Sequence, residues 1–247
     1  MLPEGYWTFE VVKFLALYSV AFLTGLMVVR WGVRVNYTRK INHFALFFLP
    51  IFLLDYIGYE PTLTTTTVTG GLLVASLGVY VHPVRSRVPP LATMFASFDR
   101  PEDRPFTLWW LSSQMVAGYM VIIPLIVVFG QIGYGWMMFI PLLINGIGDG
   151  LAEPVGIRFG RHEYEVRPLH GGRTYVRTLE GSACVFLTGI LVIALFHQQF
   201  TTPQFWAAML TVPILMTLAE AVSPHTWDTP FLFLVGGLNL LGIALFF

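Results

Sequence analysis

The chain has 247 residues, 55% of them hydrophobic and only 11% charged, with a mean hydropathy of +0.69 and a formal net charge of zero. A soluble domain carries about 25% charged residues, so this composition excludes an ordinary soluble fold and points to a polytopic membrane protein. Cys184 is the one cysteine, which excludes a disulfide framework.

One spanning helix needs ~20 mostly apolar residues. Apolar stretches read as spans at 9–30, 43–59, 63–81, 107–129, 134–153, 181–198, 204–222 and 230–247. The expected fold is all-α: a polytopic integral membrane helical bundle of about eight transmembrane helices, in one domain over 1–247. The N-terminal MLPEGYWTFEVVK is not a basic leader, so the first apolar stretch is expected as a retained helix, not a cleaved signal. Pro124, Pro141 and Pro213 fall inside spans, where neighbouring helices re-satisfy the backbone.

The charges set the orientation. Of the 14 Lys and Arg, all but Lys13 lie in three connections: between spans one and two, three and four, and five and six. With eight spans these connections share one membrane face. The positive-inside rule makes that face cytoplasmic and puts both termini on the other. Such a bias is generic and fixes orientation, not chemistry.

The stretch 145–182 carries the densest chemistry. Asp149 and Glu153 are spaced i, i+4 and share a helix face, at a helix end where the dipole disfavours negative charge. A divalent ion or an arginine would relieve both. Magnesium takes hard oxygen ligands and shares its shell with substrate phosphates. The plain alternative is a glycine-rich helix exit whose acids pair with Arg158 or Arg161. Between Arg158 and Arg177 the loop has the cations to hold a polyphosphate, and Gly171-Gly172 suits an anion nest. Thr178 or Ser182 can cap the next helix, whose N-terminus is a phosphate site in waiting. The plain alternative is a basic loop on lipid headgroups.

Two shorter stretches add to it. Arg39-Lys40-Ile-Asn42-His43 puts three nitrogen-bearing side chains on one helical face; its plain reading is a snorkelling cluster at the membrane edge. Glu220, with His225 and Asp228 just beyond, is an acid in an apolar context, and such acids are costly and often functional. Asp55, toward the opposite face, reads as a packing or polar-network residue.

Taken together, these stretches resemble the polyprenol kinase family: dolichol kinase, phytol kinase and the CTP-dependent diacylglycerol kinase, related in turn to phosphatidate cytidylyltransferases. Arg39-Lys40-x-x-His43 resembles the family's RKxxH element. The run from Gly148-Asp149-Gly150 through Ala152, Glu153 and Gly156 to Arg158 and Gly160 resembles GDxxAxxxGxxxG. Arg177-Thr178-Leu-Glu180-Gly181-Ser182 resembles [KR][ST]xEG[ST], and Glu220-x-x-Ser223-Pro224 with Asp228 and Pro230 resembles ExxSP…DNxxxP.

The resemblance implies phosphoryl transfer from CTP, or UTP, to the hydroxyl of a membrane lipid alcohol such as dolichol, a polyprenol or phytol, with Mg2+ as cofactor. Catalytic loops are then expected at 30–43, 145–182 and 220–230. It implies a magnesium site of Asp149, Glu153 and Glu180, and catalytic roles for Asp149, Asp228, Glu220 and Lys40. Nucleotide contacts fall to Arg39, Lys40, His43, Gly148, Gly150, Arg158, Gly160, Arg161, Arg173, Arg177, Thr178, Gly181 and Ser182. The partners expected are the nucleoside triphosphate, the lipid alcohol and the bilayer, with no nucleic acid; the oligomeric state stays open. Two other functions remain: a cytidylyltransferase making a CDP-lipid, which Pro168-Leu-His-Gly-Gly172 resembles in part, and a transporter or lipid-binding protein without catalysis.

Overall fold

The computed structural model describes residues 2–168 and 174–247. It is 80% helical with almost no sheet, an all-α membrane bundle as the composition requires. Seven helices among the described residues have the length and hydropathy to cross a membrane. An eighth apolar helix, Leu179–Leu195, has 17 residues, at the short end of the spanning range of roughly 17–25. The chain divides at Val116 and Ala117 into two compact units.

The first unit starts with α1 (Tyr6–Trp31), which Gly32 ends at φ 64 by donating its N–H to Met27 and Val28 carbonyls. The positive φ is one that glycine adopts without a Cβ clash. Helices α2 (Val35–Ile57) and α3 (Leu63–Ser76) follow, the second opened by a reciprocal capping box between Thr62 and Thr65. The connection between the third and fourth expected spans, 82–106, folds into two short helices, α4 (His82–Arg85) and α5 (Pro89–Ala96), before α6 (Thr107–Gln131). Its apolar residues explain this: Phe95 and Phe98 bury against Tyr80, and α5 approaches α1 so closely that a Cβ on Gly25 would lie 1.9 Å from the Thr93 carbonyl oxygen. Asp55, expected in a packing or polar-network role, is exposed near the end of α2.

In the second unit, span five is one continuous helical rod from Gly135 to Phe159 whose winding changes along its length. It runs through α7 (Phe139–Leu143), a π-helical segment (Ile144–Asp149) and α8 (Gly150–Phe159). The helix continues six residues past the expected edge at 153. The reason is a stripe of small residues at four-residue spacing, Gly148, Ala152, Gly156 and Gly160, docked on helix α9 (Leu179–Leu195) and its cap. Between α8 and α9 lies a two-stranded antiparallel hairpin, β1 (Glu163–Val166) and β2 (Tyr175–Thr178), where a plain loop was expected. The alternation Glu-Tyr-Glu-Val is its period-two signal. Helices α10 (Thr202–Val222) and α11 (Asp228–Phe246) complete the unit, with α10 packed against both α9 and α11.

Candidate functional site

The charged residues of the second unit meet at Arg177, on β2. Its Nη1 donates to the Glu220 carbonyl oxygen and, at 3.1 Å, to Ser223 Oγ. The same nitrogen lies 3.3 Å from Glu220 Oε1, and Nη2 lies 3.7 Å from Asp228 Oδ2. Burial alone would lower the basicity of this guanidinium; Asp228 and Glu220, with Tyr164 and Asp149 behind them, outweigh it and raise it. Glu220 is 3% exposed and Asp228 9%. Buried charges of this kind are stable only when paired and hydrogen-bonded.

Ser182, in the first turn of α9, donates to Glu220 Oε2 at 2.7 Å, and the Tyr164 hydroxyl of β1 lies 2.7 Å from Ser182 Oγ. Both Glu220 oxygens are therefore engaged, Oε1 by Arg177 and Oε2 by Ser182. Asp228 opens α11, where the helix dipole favours a negative charge, and its Oδ1 accepts from the Thr229 N–H at 3.2 Å. The turn between α10 and α11 is built to hold these acids near β2. Tyr175 stacks on His225 with ring centroids 3.5 Å apart, and the His225 N–H donates to the Arg167 carbonyl at 3.1 Å. Thr226 takes φ 67, rare for a β-branched residue, and its hydroxyl is buried with no hydrogen-bond partner among the described residues. Such strain gathers at functional positions.

Other residues expected to touch nucleotide have packing work here. Thr178 is the N-cap of α9, accepting from the Gly181 N–H at 3.1 Å, and the Leu179 N–H goes to the His162 carbonyl. Two donors of the α9 N-terminus are thus already spent within the chain. A Cβ on Gly148 would lie 2.9 Å from Val185 Cα, on Gly160 2.3 Å from the Gly156 carbonyl oxygen, and on Gly181 2.7 Å from the Ala152 carbonyl oxygen. Gly148 and Gly181 let span five and α9 touch backbone to backbone, the small-residue packing that membrane helices favour, and Gly160 leaves room for the Thr178 side chain. Gly150 is buried in the first turn of α8.

Glu180, expected at a metal, is bound by His162: Oε1 lies 2.7 Å from Nδ1 and Oε2 accepts from the His162 N–H at 3.3 Å. The hydrogen bond from the His162 side chain, with backbone donors, holds the carboxyl down to about 2. Asp149 is buried in the π-helical segment and Glu153 is half-buried on α8. Among the described residues no group of three or more His, Cys, Asp or Glu is arranged to hold a metal ion, so Asp149, Glu153 and Glu180 are not gathered into one shell. Arg158 and Arg161 are exposed. Arg173 and most of the Pro168–Gly172 resemblance lie outside the described residues.

The remaining cluster belongs to the first unit. Arg39, Lys40 and His43 lie on α2, Lys40 only 3% exposed. A snorkelling lysine would extend outward; this one is folded into its unit. His43 packs on the Phe47 ring at 4.7 Å. Asn42 ties the helix down, donating to Thr24 Oγ1, the Thr38 carbonyl and Ser97 Oγ at 2.8–3.1 Å.

Sequence reasoning missed Tyr164, Tyr175, Thr226 and His162. The alternation in the hairpin was the available signal for the first two; nothing in the sequence marks the positive φ of Thr226. Compared with protein-family models, curated proteins and solved structures, the chain gives no match.

Proposed function

We propose that the chain is a membrane lipid-alcohol kinase, moving the terminal phosphoryl group of CTP, with UTP as the second candidate, to a hydroxyl on a lipid tail. One observation carries this reading. Arg177 and Ser182 from one motif-like stretch meet Glu220, Ser223 and Asp228 from another, in one buried ionic network built from α9, α10, α11 and the hairpin.

Phosphoryl transfer asks a protein mainly for alignment and charge neutralisation. Asp228, at the head of α11 and 3.7 Å from Arg177 Nη2, is taken as the acceptor for the lipid hydroxyl's proton. The lipid oxygen bonds to phosphorus as the bond to the leaving diphosphate breaks, and the hydroxyl proton passes to Asp228. Glu220 and Ser223 aim Arg177. The exposed Arg158 and Arg161 suit phosphate contact. Asp149 and Glu153 would hold a magnesium ion arriving with the nucleotide, an ion that needs only one or two carboxylates beside the phosphates. The segment that carries Arg158, Arg161 and Arg177 is assigned to the cytoplasmic face by these arginines.

A second reading, membrane transport, has its own support. Span five changes winding at buried Asn145 and Asp149, and π segments frequently mark functional sites. The α1 helix also carries a buried ion pair, Glu10 with Lys13 at 2.6 Å. One assay separates the readings: purified protein in detergent with magnesium, given γ-labelled CTP, UTP or ATP and phytol, a long polyprenol or diacylglycerol. Label entering the lipid is the expected result. Pyrophosphate release with a phospholipid acceptor would replace the kinase by a cytidylyltransferase. Folded protein inactive in both would favour transport.

A further inference from the structure

The hairpin between α8 and α9 is two-faced. Tyr164 stands directly opposite Arg177 in its register, and Val166 opposite Tyr175. In an antiparallel pair, opposed residues share a face and neighbours along a strand point the other way. Burial follows this rule: Tyr164, Val166, Tyr175 and Arg177 are buried or half-buried, whereas Glu163, Glu165 and Val176 are exposed. One face of the hairpin thus brings Arg177 and Tyr164 together against the helices.

The hydrogen bonds then fix a direction. A serine hydroxyl has one hydrogen. Ser182 gives its hydrogen to Glu220 Oε2, so in the 2.7 Å contact between Tyr164 and Ser182 the tyrosine is the donor. The chain runs Tyr164 to Ser182 to Glu220, and the other oxygen of Glu220 faces Arg177. Arg177 closes the ring by lying across the hairpin from Tyr164. Burial, with the charge of Glu220 adding to it, raises the Tyr164 hydroxyl above the ordinary tyrosine range, which keeps it a donor.

We infer that Tyr164 is a positioning residue of the Arg177 site: its hydroxyl orients Ser182, Ser182 orients the Glu220 carboxylate, and Glu220 aims the guanidinium at an anionic ligand. This rests on the phosphoryl-transfer reading for the identity of the ligand, not for the hydroxyl chain. Removing the tyrosine hydroxyl leaves Ser182 free to turn and Glu220 with a weaker partner. Nothing in this chain of contacts requires Tyr164 to meet substrate.

The test is the infrared carboxylate band of Glu220, identified by its loss in Glu220→Gln, recorded on folded protein in detergent. Tyr164→Phe is expected to shift that band, Ser182→Ala to shift it at least as far, and the double variant to shift it no further than Ser182→Ala alone. A band unmoved in Tyr164→Phe overturns the inference. If Tyr164→Phe does not fold, a band unmoved in Ser182→Ala overturns the inference by removing its middle link. In the kinase assay, Tyr164→Phe is expected to raise KM for the nucleotide by roughly tenfold, the scale of one net hydrogen bond, with kcat much less affected; a fall confined to kcat overturns it as well. A wild type that transfers no phosphoryl group defeats the kinase reading, and the infrared band still decides the chain of contacts.

Discussion

The two units bury charge in different ways. In the first, two buried pairs are local: Lys13 meets Glu10, and Arg100 meets Asp103 at 2.7 Å, both three residues apart. Lys13 is also flanked by the Phe9 and Phe14 rings, at 5.2 and 4.9 Å from their centroids. Such a pair forms as soon as its own helix or turn forms. In the second unit, Arg177 reaches Glu220 across 43 residues and Asp228 beyond it, so the network exists only when hairpin, α9, α10 and α11 have assembled. A local pair neutralises a charge that packing has trapped. A network drawn from four elements spends chain entropy to place charge, which points to placement as its purpose.

The largest expected effect comes from removing the shared cation. Arg177→Met leaves Glu220 and Asp228 buried without it, and breaking a buried pair by deleting one partner costs about 3–5 kcal/mol. We expect thermal unfolding in detergent to fall accordingly and phosphoryl transfer to disappear. Arg177→Lys is expected to recover part of the stability and little of the transfer, since an ammonium is a point charge and cannot span both carboxylates as the fork does.

The comparison sharpens with paired substitutions. Glu10→Gln or Lys13→Met alone should each destabilise by about 3–5 kcal/mol, and the double substitution should return most of the loss, because removing both charges of a buried pair is often neutral. Arg177→Met with Glu220→Gln should return much less, because Asp228 still lies buried at the same guanidinium site. Urea or thermal unfolding of the four variants tests this. Equal recovery in both units would mean that Arg177 is no more than another local counter-ion.

Backbone contact gives a smaller effect with a clean control. Gly160→Ala pushes a methyl to within 2.5 Å of Thr178 Cγ2 and 2.3 Å of the Gly156 carbonyl oxygen. Overpacking of this kind costs about 1–3 kcal/mol, and it should loosen the N-cap of α9 with it. Gly71→Ala, on α3, meets nothing within 4 Å and should be neutral or stabilising by about 0.5–1 kcal/mol through helix propensity. Matching losses at both positions would refute the role given to the small-residue stripe.

Much of the fold was legible because spans are set by one solvent rule, and runs of apolar residues record it. All eight expected spans overlap helices, with edges moved by up to eight residues, the most at the start of α2. What the apolar runs do not record is how a helix ends: the Gly148–Gly160 stripe reads equally as a phosphate loop and as a packing surface, and only the position of Val185, Thr178 and Ala152 decides. The convergence of Arg177 on Glu220 and Asp228 could be anticipated from motif-like stretches, but not its pairing, since any of the five arginines from Arg158 to Arg177 could have supplied the charge. Thr178 shows the limit most simply. It was read as cap and as phosphate ligand, and its hydroxyl is occupied by the Gly181 N–H.

The smallest effect concerns the exposed fastening of the hairpin. Glu180 lies in the first turn of α9, outside the apolar stretch, and its hydrogen bond to the His162 side chain, with backbone donors, lowers its carboxyl from 4.5 to about 2. A depressed carboxyl favours the folded state above its unfolded value, and that contribution fades as pH falls through the folded one. The contact should therefore be complete above about pH 5 and be lost between 4.5 and about 2. Carbon-13 NMR titration of the Glu180 carboxylate should show this low midpoint, and His162→Ala should move it back toward the ordinary glutamate value. Because the pair is solvent-exposed, unfolding temperature should change little across the same window, unlike the response to Arg177→Met. A large loss of stability on acidification, absent in Glu180→Gln, would place this pair among the buried charges of the second unit and remove the contrast between a surface latch and a placed charge.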